Sequence, residues 1–411
     1  MTTYTTAFVG CKVSQADCEA AASELAAAGL ECAPGDEADV ALIMSCCVTA
    51  EAERKSRRLA RRFARRGARV VVAGCASRLR PEQFRFPGVT PLDGPPADGA
   101  PAPAGVPFEG GAGEGGPKPG RTRLTLKIQD GCSQTCTYCA VRLVRGAPVS
   151  LPLADVLERA RRGVAAGCGE VVLTGVNLGA YRDDASDADL ADVVAALTAL
   201  PGLRLRLSSL EPGHLTPRLL AALAHERVAR HLHVPLQSAD DRVLADMARP
   251  YAFADYLGTV ARAREALGDV AFTSDVIVGF PTEDEAAFAR SLAAIGGGDV
   301  PARGLFERVH VFSYSRRPGT PAETLGELAP AVVKERMGRA LDVARDAQRA
   351  AHLRRLAQPA EVLLEERRDG LWRGYSSQYV RYYLEGDGER GALVDAVGDE
   401  AFADGLKGRI V

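Results

Sequence analysis

The stretch Asp130-Gly131-Cys132-Ser133-Gln134-Thr135-Cys136-Thr137-Tyr138-Cys139 places three cysteines within eight residues, in the spacing C-x3-C-x2-C. Thiolates this close together in one loop can hold a single metal centre. Structural zinc sites and most iron–sulfur clusters take four protein ligands, and no histidine lies near this loop. Three thiolates on a four-iron cluster leave one iron free for a substrate or cofactor. The alternative is a zinc knuckle with a distant fourth ligand.

This spacing, with Tyr138 just before the last cysteine, resembles the signature of the radical S-adenosylmethionine (radical-SAM) superfamily. The resemblance implies that Cys132, Cys136 and Cys139 hold a 4Fe–4S cluster whose free iron chelates S-adenosylmethionine. It also implies that one electron from the cluster splits the sulfonium and yields a 5′-deoxyadenosyl radical.

Length and composition narrow the class of protein. A chain of 411 residues suggests two to three domains with ample core. The net charge of −2 argues against a general polyanion binder, so basic patches must be sought locally. The N-terminus lacks a signal peptide pattern and no apolar run is long enough to cross a bilayer, so we expect a cytoplasmic protein without a membrane partner. In that reducing compartment, ten cysteines favour metal ligands or free thiols over disulfides.

The first segment alternates strands and helices, with strands predicted at 6–9, 39–44 and 69–73 and helices at 14–28 and 51–66. Continuous apolar strands are typical of a parallel sheet that is covered on both faces. The pattern predicts a small doubly wound α/β domain.

Cysteines follow each of these strands. Cys11 follows the first, the Cys46-Cys47 doublet follows the second, and Cys75 follows the third. Ligands of open parallel sheets gather beyond the carboxyl ends of the strands. We therefore expect one cysteine from each loop to meet in a second three-thiolate site.

The loops Gly10-Cys11-Lys12-Val13-Ser14-Gln15, Ser45-Cys46-Cys47-Val48-Thr49 and Ala73-Gly74-Cys75-Ala76 resemble the three Cys loops of the methylthiotransferase family of radical-SAM enzymes. The resemblance implies an auxiliary 4Fe–4S cluster that handles sulfur and is held by Cys11, Cys46 and Cys75. Position in the motif favours Cys46 over Cys47. The run Ala-Glu-Ala-Glu-Arg-Lys-Ser-Arg at 50–57 most resembles the branch that acts on threonylcarbamoyladenosine in tRNA.

The sequence departs from the family pattern in places. It has Met44-Ser45 where the family usually has Asn-Thr, and Ser14 where the family often has Asn. Three further cysteines match no motif and are interpreted as small buried apolar residues. These are Cys18, Cys32 and Cys168.

Residues 54–69 carry nine basic side chains on a predicted helix. Leu59 and Phe63 would face the core and leave the arginines outside. The run predicts either contact with an RNA backbone or a solvated helix face. Residues 94–120 are rich in Gly and Pro and predict a flexible linker.

Repeating strand–helix units follow the linker, and they predict a partial (β/α)6 barrel. Its strands are expected at 124–129, 170–174, 203–208, 231–236, 271–278 and 308–312, with helices between them such as 151–166 and 252–267. Function in such folds collects at the carboxyl ends of strands. The family resemblance assigns to the neighbourhood of S-adenosylmethionine the residues Thr174, Gly175, Asn177, Ser209, Glu211, Gln237 and Asp275. Each alone could be a strand-end cap. His231, His233 and His310 are interpreted as hydrogen-bonded side chains and not as metal ligands.

A long basic helix at 331–357 leads to about five short strands, which predict a compact β-barrel that resembles the RNA-binding TRAM domain of this family. Rings and guanidinium groups interleave there as stacking on unpaired bases would require. They are Trp372, Arg373, Tyr375, Tyr379, Arg381, Tyr382 and Tyr383. From Pro359 onward, eleven acids against seven Lys and Arg give a net charge of −4, so a structural cap is the alternative.

The predicted fold class is α/β: an N-terminal doubly wound parallel α/β domain (1–93), the linker (94–120), a partial (β/α)6 radical-SAM barrel with its trailing helix (121–357) and a small C-terminal β-barrel (358–411). The predicted function is methylthiolation at C2 of N6-threonylcarbamoyladenosine in the anticodon stem-loop of tRNA, with two 4Fe–4S clusters and S-adenosyl-L-methionine as cofactors. An electron donor such as flavodoxin or ferredoxin is expected, and the sulfur source stays open. The alternatives are the same chemistry on isopentenyladenosine or on a ribosomal-protein aspartate, and a non-catalytic metal- and RNA-binding protein.

Overall fold

The computed structural model describes residues 2–35, 37–92, 121–297 and 304–411. These residues form a parallel α/β domain, a central barrel of parallel strands and a closed C-terminal β-barrel, which confirms the predicted fold class. The predicted linker at 94–120 lies outside the described residues. None of the described helices is long and apolar enough to cross a membrane.

The N-terminal domain is a five-stranded parallel sheet in the order β2-β1-β3-β4-β5. Its elements are β1 (Thr3–Phe8), α1 (Lys12–Ala27), β2 (Glu31–Cys32), β3 (Val40–Ser45), α2 (Ala50–Arg65), β4 (Arg69–Gly74), α3 (Cys75–Leu79) and β5 (Val89–Pro91). The edge strands β2 and β5 were not predicted, because two or three residues give no periodic signal.

Helices cover both faces of this sheet. Cys18 of α1 packs on Leu42 from one face, and Phe63 of α2 packs on Ile43 from the other. Buried positions for Cys18 and Cys168 agree with the prediction. The prediction for Cys32 is wrong: its side chain is exposed, because it lies on a two-residue edge strand.

The central barrel has six parallel strands in two groups, β6-β8-β9 and β10-β11-β12. Isolated parallel bridges between Leu205 and Val228 and between Ser209 and His233 join the groups, and the short β7 adds an antiparallel edge to β6. The strands are β6 (Arg123–Asp130), β7 (Val149–Ser150), β8 (Glu170–Gly175), β9 (Arg204–Leu207), β10 (His231–His233), β11 (Ala271–Val278) and β12 (Arg308–Ser313). The helices are α4 (Val141–Arg145), α5 (Leu153–Ala165), α6 (Leu190–Thr198), α7 (Pro217–Leu223), α8 (Asp241–Asp246), α9 (Phe253–Leu267), α10 (Glu285–Gly296) and α11 (Pro330–Arg354). Strand β10 ends three residues earlier than predicted, just before Pro235, which has no N–H to donate.

The C-terminal strands close in the order β13-β14-β15-β17-β16. They are β13 (Pro359–Arg368), β14 (Leu371–Ser376), β15 (Arg381–Glu385), β16 (Leu393–Phe402) and β17 (Gly405–Ile410). The first hairpin turns at Asp369-Gly370, both with positive φ, as a type I′ turn requires. Strand β15 begins only at Arg381, because Tyr379 adopts a positive φ of 65° in the preceding turn.

The C-terminal barrel docks on the amino-terminal ends of the central strands. Arg204 donates to the Tyr375 carbonyl at 3.0 Å and Arg206 donates to the Ser376 carbonyl at 2.9 Å. Both guanidinium groups also bind the buried Glu170. Burial alone would raise the pKa of Glu170, but the two arginines hold it well below its usual range. The opposite, carboxyl-terminal ends of the strands are left to the N-terminal domain.

Candidate active site

The loop that carries Cys132, Cys136 and Cys139 (the loop cysteines) begins where β6 ends. Gly131 has a φ of +70°, and a side chain there would lie 2.0 Å from the Ala147 carbonyl oxygen, so only glycine fits. The Gln129 side chain donates to the carbonyls of Asp130 and Gly131 at 2.7 and 2.9 Å. The positive φ of Gly131 and the two hydrogen bonds from Gln129 therefore fix the conformation of this turn.

Polar side chains from the barrel reach two of the loop sulfurs. Arg249 Nη1 donates to Cys136 Sγ at 3.2 Å and its other terminal nitrogen pairs with Glu211. Asn177 Nδ2 lies 3.9 Å from Cys132 Sγ. Burial raises the pKa of Cys132 and raises that of Cys139 to about 12, so metal loading has to release protons. Arg249 escaped the sequence analysis, because one arginine in an Arg-rich chain carries no motif.

The second group, Cys11, Cys46 and Cys75 (the sheet cysteines), comes from the loops after β1, β3 and β4, and all three line one cavity. The first two loops touch: a side chain at Gly10 would come within 2.9 Å of Cys46 Sγ. Burial raises the pKa of Cys46 to about 12.

Cys47 is oriented differently from its neighbour Cys46. Its side chain is fully buried in the domain core with Ala41 and Ile43. A hydrogen bond between Cys47 and Cys75, followed by burial, raises the pKa of Cys47 well above its ordinary value. The same hydrogen bond, with the nearby Arg145 guanidinium, lowers the pKa of Cys75 to about 6.

A buried ionic network lies between the two cysteine groups. Arg145 Nε donates to Cys75 Sγ at 3.1 Å, and Nη1 donates to both oxygens of Asp130 at 3.0 and 2.9 Å. Nη2 donates to Asp17 on α1 at 2.7 Å. Lys127 binds the same two carboxylates. Two cations therefore balance two acids at the contact between the N-terminal domain and the loop that starts the barrel.

The cavity has a volume of about 640 Å³ and extends from the sheet cysteines along the inner wall of the barrel. Of the residues assigned to S-adenosylmethionine, those that line it are Thr174, Gly175, Ser209 and Asp275. Three do not line it. Asn177 lies against Cys132, Glu211 is bound to Arg249, and Gln237 (φ 66°) donates its backbone N–H to the Asp275 carbonyl at 2.8 Å.

Gly175 serves packing within the sheet as well as lining the cavity. A side chain there would lie 2.9 Å from Cβ of Gln129 on the neighbouring strand β6. Gln129 Oε1 also accepts the backbone N–H of Asn177 at 2.8 Å. The glycine thus lets β8 approach the residue that braces the cysteine loop.

Unpartnered polar atoms test whether these residues suit a polar cofactor. Thr174 Oγ1, Asn177 Oδ1 and Ser208 Oγ are buried and have no hydrogen-bond partner among the described residues. Leaving such atoms unpaired is costly, so they fit a ligand with amine, carboxylate and hydroxyl groups. No three His, Cys, Asp or Glu side chains in the described ranges converge on one metal ion. A four-iron cluster does not need that convergence, because each iron takes its own thiolate.

Three histidines, His231, His233 and His310, line the same cavity as the sheet cysteines. Thr273 Oγ1 lies 2.9 Å from His231 Nε2 and 2.8 Å from His233 Nδ1. His233 Nε2 lies 3.2 Å from Asp275 Oδ2. The hydrogen-bonded interpretation of these two histidines agrees with the structure, while their place in the cavity wall was missed.

The interpretation of the C-terminal rings as base-stacking groups needs correction. Trp372, Tyr382 and Tyr383 are buried in the small barrel. Tyr379 stacks on His231 and on Tyr375, with ring centroids 4.8 and 4.9 Å apart. Burial alternates with a period of two along β14 and places Trp372 on the buried side, whereas Tyr382 and Tyr383 of β15 are both buried.

Comparison with known proteins agrees with this architecture. Residues 126–295 match the family described as Radical SAM superfamily, and residues 3–87 match Uncharacterized protein family UPF0004. A radical-SAM methyltransferase, TsrM from Kitasatospora setae, shares the fold with a TM-score of 0.53 at 15% identity, over 78% of this chain and 77% of that one.

Two curated relatives are similar along almost their whole length. The threonylcarbamoyladenosine tRNA methylthiotransferase MtaB of Thermotoga maritima is 32% identical over 401 residues, covering 92% of this chain and 90% of that protein. A tRNA-2-methylthio-N(6)-dimethylallyladenosine synthase of Novosphingobium aromaticivorans is 33% identical over 430 residues, covering 98% and 96%.

The fold and the two cysteine groups define a radical-SAM enzyme with an additional cysteine-bearing domain. The chain belongs to the radical-SAM methylthiotransferase family. It is therefore a transferase, and the non-catalytic alternative is wrong. Its cofactors are two 4Fe–4S clusters and S-adenosyl-L-methionine.

Proposed function

We propose that the chain adds a methylthio group to C2 of N6-threonylcarbamoyladenosine next to the anticodon of tRNA, in the cytoplasm where that tRNA is found. The observation that carries this proposal is one cavity that the three sheet cysteines share with Thr174, Ser209 and Asp275 of the barrel, in a chain 32% identical to the Thermotoga maritima enzyme. A base in an anticodon loop is cheaper to unstack than a paired base, which suits a reaction inside a cavity.

The loop cysteines hold one cluster and the sheet cysteines hold the other in this proposal. When bound, the first cluster and S-adenosylmethionine supply a 5′-deoxyadenosyl radical, and the second cluster supplies the sulfur chemistry. The choice of Cys46 over Cys47 is supported by the place of Cys46 on the cavity wall and of Cys47 in the core. An electron donor such as flavodoxin or ferredoxin completes the cycle.

The polar residues of the barrel bind and orient in this proposal. Thr174, Asn177 and Ser208 have the unpaired atoms that S-adenosylmethionine would satisfy. Of these, Thr174 and Ser208 line the cavity together with Ser209 and Asp275. Glu211 acts by holding Arg249 against Cys136, whereas Gln237 shapes the strand end beside Asp275.

Exposed basic side chains on α2 support the contact with RNA. They include Lys55, Arg58, Arg62 and Arg65, whereas Phe63 of the same helix is buried. Such a face attracts a phosphate backbone without reading its sequence.

The second candidate is dimethylallyladenosine in tRNA, which is the name that the Novosphingobium aromaticivorans relative carries. Whole-chain identity does not separate the two, since the values are 32% and 33%. The run at 50–57, which starts α2 beside the sheet cysteines, supports the threonylcarbamoyl substrate.

The test is mass spectrometry of nucleosides from bulk tRNA of cells with and without the gene. We expect the methylthio form of threonylcarbamoyladenosine to disappear and its parent to accumulate. Complementation by the Cys139→Ser variant should fail, whereas Cys32→Ser, a matched change at an exposed cysteine outside both groups, should restore the product. A change confined to the dimethylallyl pool would contradict the proposal.

A further inference from the structure

The cavity beside the cysteines contains one guanidinium group that the described part of the chain leaves without an acid. Its basic lining residues are Lys12, Arg123, Arg145, Arg206 and Arg308. Carboxylates of the chain pair with Arg123, Arg145 and Arg206. The Lys12 ammonium donates to Gln15 Oε1 at 3.3 Å within helix α1. Among the described residues, the Arg308 guanidinium makes neither a hydrogen bond nor an ion pair.

Arg308 begins β12 and lies beside Thr273 of β11 on the cavity wall. It also borders a narrow crevice of about 20 Å³ towards the C-terminal barrel. The two acids of that crevice have partners already: Glu307 binds Arg355, and Asp404 binds Arg381. Arg308 is exposed and lines the cavity, and the described residues leave its hydrogen-bonding capacity unused.

The neighbouring polar groups do not neutralise this charge. Asp275 is the one carboxylate among the described lining residues, and it lies against His233. Burial, then the charge of Arg308, lowers the pKa of His310, so its ring is neutral at pH 7. This end of the cavity offers a fixed positive charge beside the neutral ring of His310. The apolar lining side chains Phe8 and Val48 come from the N-terminal domain that carries the sheet cysteines.

We infer that Arg308 binds the carboxylate of the N6-threonylcarbamoyl group, so that the cavity selects an adenosine with an acidic substituent. This inference rests on the proposed function. A threonylcarbamoyl group ends in a carboxylate, which a guanidinium can bind through two parallel hydrogen bonds. A dimethylallyl group is neutral and apolar, and it would leave the Arg308 guanidinium without a hydrogen-bond acceptor from the substrate. Arg308 is thus a specificity residue for the substituent and not a catalytic residue.

The test compares two anticodon stem-loop RNAs, one with threonylcarbamoyladenosine and one with its methyl ester, which removes the negative charge and keeps the rest. Reconstituted enzyme is assayed for kcat/KM by mass spectrometry. The Kd of each RNA is measured by fluorescence anisotropy without S-adenosylmethionine. We expect the wild-type enzyme to prefer the acid by about 10- to 100-fold, the range of a charge-assisted hydrogen bond. In Arg308→Gln, kcat/KM for the acid should fall by the same 10- to 100-fold, mostly through a higher KM and a higher Kd. The kcat/KM and Kd for the ester should equal those of the wild type.

Two control variants accompany this comparison. Arg308→Lys keeps the charge and should retain most of the preference. Arg161→Gln removes an exposed arginine of α5 that does not line the cavity. It should leave kcat/KM and Kd unchanged for both RNAs. Equal losses on both RNAs with Arg308→Gln, or an unchanged preference, would overturn the inference. A wild-type enzyme that modifies acid and ester alike also overturns the inference alone, whereas one that modifies neither overturns the proposed function and the inference with it.

Discussion

The loop cysteines and the sheet cysteines are assembled in different ways. One loop after one strand supplies the first group, and the turn at Gly131 with the brace of Gln129 is enough to shape it. The second group needs three strands in register, since each cysteine follows a different strand. A local site tolerates change elsewhere in the fold, whereas a dispersed site depends on the whole sheet. Substitutions can therefore separate the two groups by that dependence.

The largest expected effect comes from replacing a whole group with alanine. Replacement of the loop cysteines should abolish cleavage of S-adenosylmethionine and remove about four of about eight irons. Replacement of the sheet cysteines should remove the same amount of iron and leave cleavage in place. Iron analysis and chromatography of 5′-deoxyadenosine measure both. Cleavage that survives loss of the loop cysteines would refute the division of labour.

The doublet provides a comparison within the sheet cysteines. Cys46→Ala should lose about four irons, because Cys46 lines the cavity. Cys47→Ala should keep them, because that side chain lies in the core and is hydrogen-bonded to Cys75. Iron content of the two variants decides between them, and the reverse pattern would make Cys47 the ligand.

Arg145 links Cys75 to Asp130, the residue at the end of β6 where the cysteine loop begins, so its loss should destabilise the fold itself. Arg145→Gln leaves Asp17 and Asp130 facing only Lys127, and breaking a buried pair costs about 3 to 5 kcal/mol. Urea denaturation of the metal-free protein measures this cost, with exposed Arg161→Gln as the control. An effect as small as that of the control would mean that the network is solvated.

The loss of unfolding free energy in Arg145→Gln should depend on pH, and the pKa of Asp130 gives the direction of that dependence. Burial raises the pKa of Asp130, but Arg145 and Lys127 lower it more, and the net shift is downward. A lowered folded-state pKa gives stability that is present above the ordinary value near 4 and is lost as the pH falls through the folded value. The difference between wild type and Arg145→Gln should therefore be greatest near pH 7 and shrink below about pH 4. A pH-independent difference would assign the effect to packing.

Both cysteine groups could be predicted from the sequence, whereas the side chains that support them could not. The loop cysteines form a contiguous motif, and the apolar runs of β3 and β4 predict the strands that precede Cys46 and Cys75. Arg145, Arg249 and Gln129 were missed, because each acts through contacts made only after distant elements pack. The burial of Trp372, Tyr382 and Tyr383 was not predicted, because the base-stacking interpretation rested on residue types and not on which face of each strand they occupy.

The smallest expected effect lies at the start of α2, next to the doublet. The Thr49 side chain accepts a hydrogen bond from the Ala52 N–H at 3.1 Å and caps the helix. Thr49→Ala should cost about 1 kcal/mol in urea denaturation, and Thr49→Ser should recover most of it. Because the cap fixes the chain just after Cys46, the variant should release iron from the sheet cysteines faster under a chelator, while the loop cysteines keep theirs. Equal release from both groups would mean that the loop cysteines depend on the sheet as well, and that the local motif is not self-sufficient.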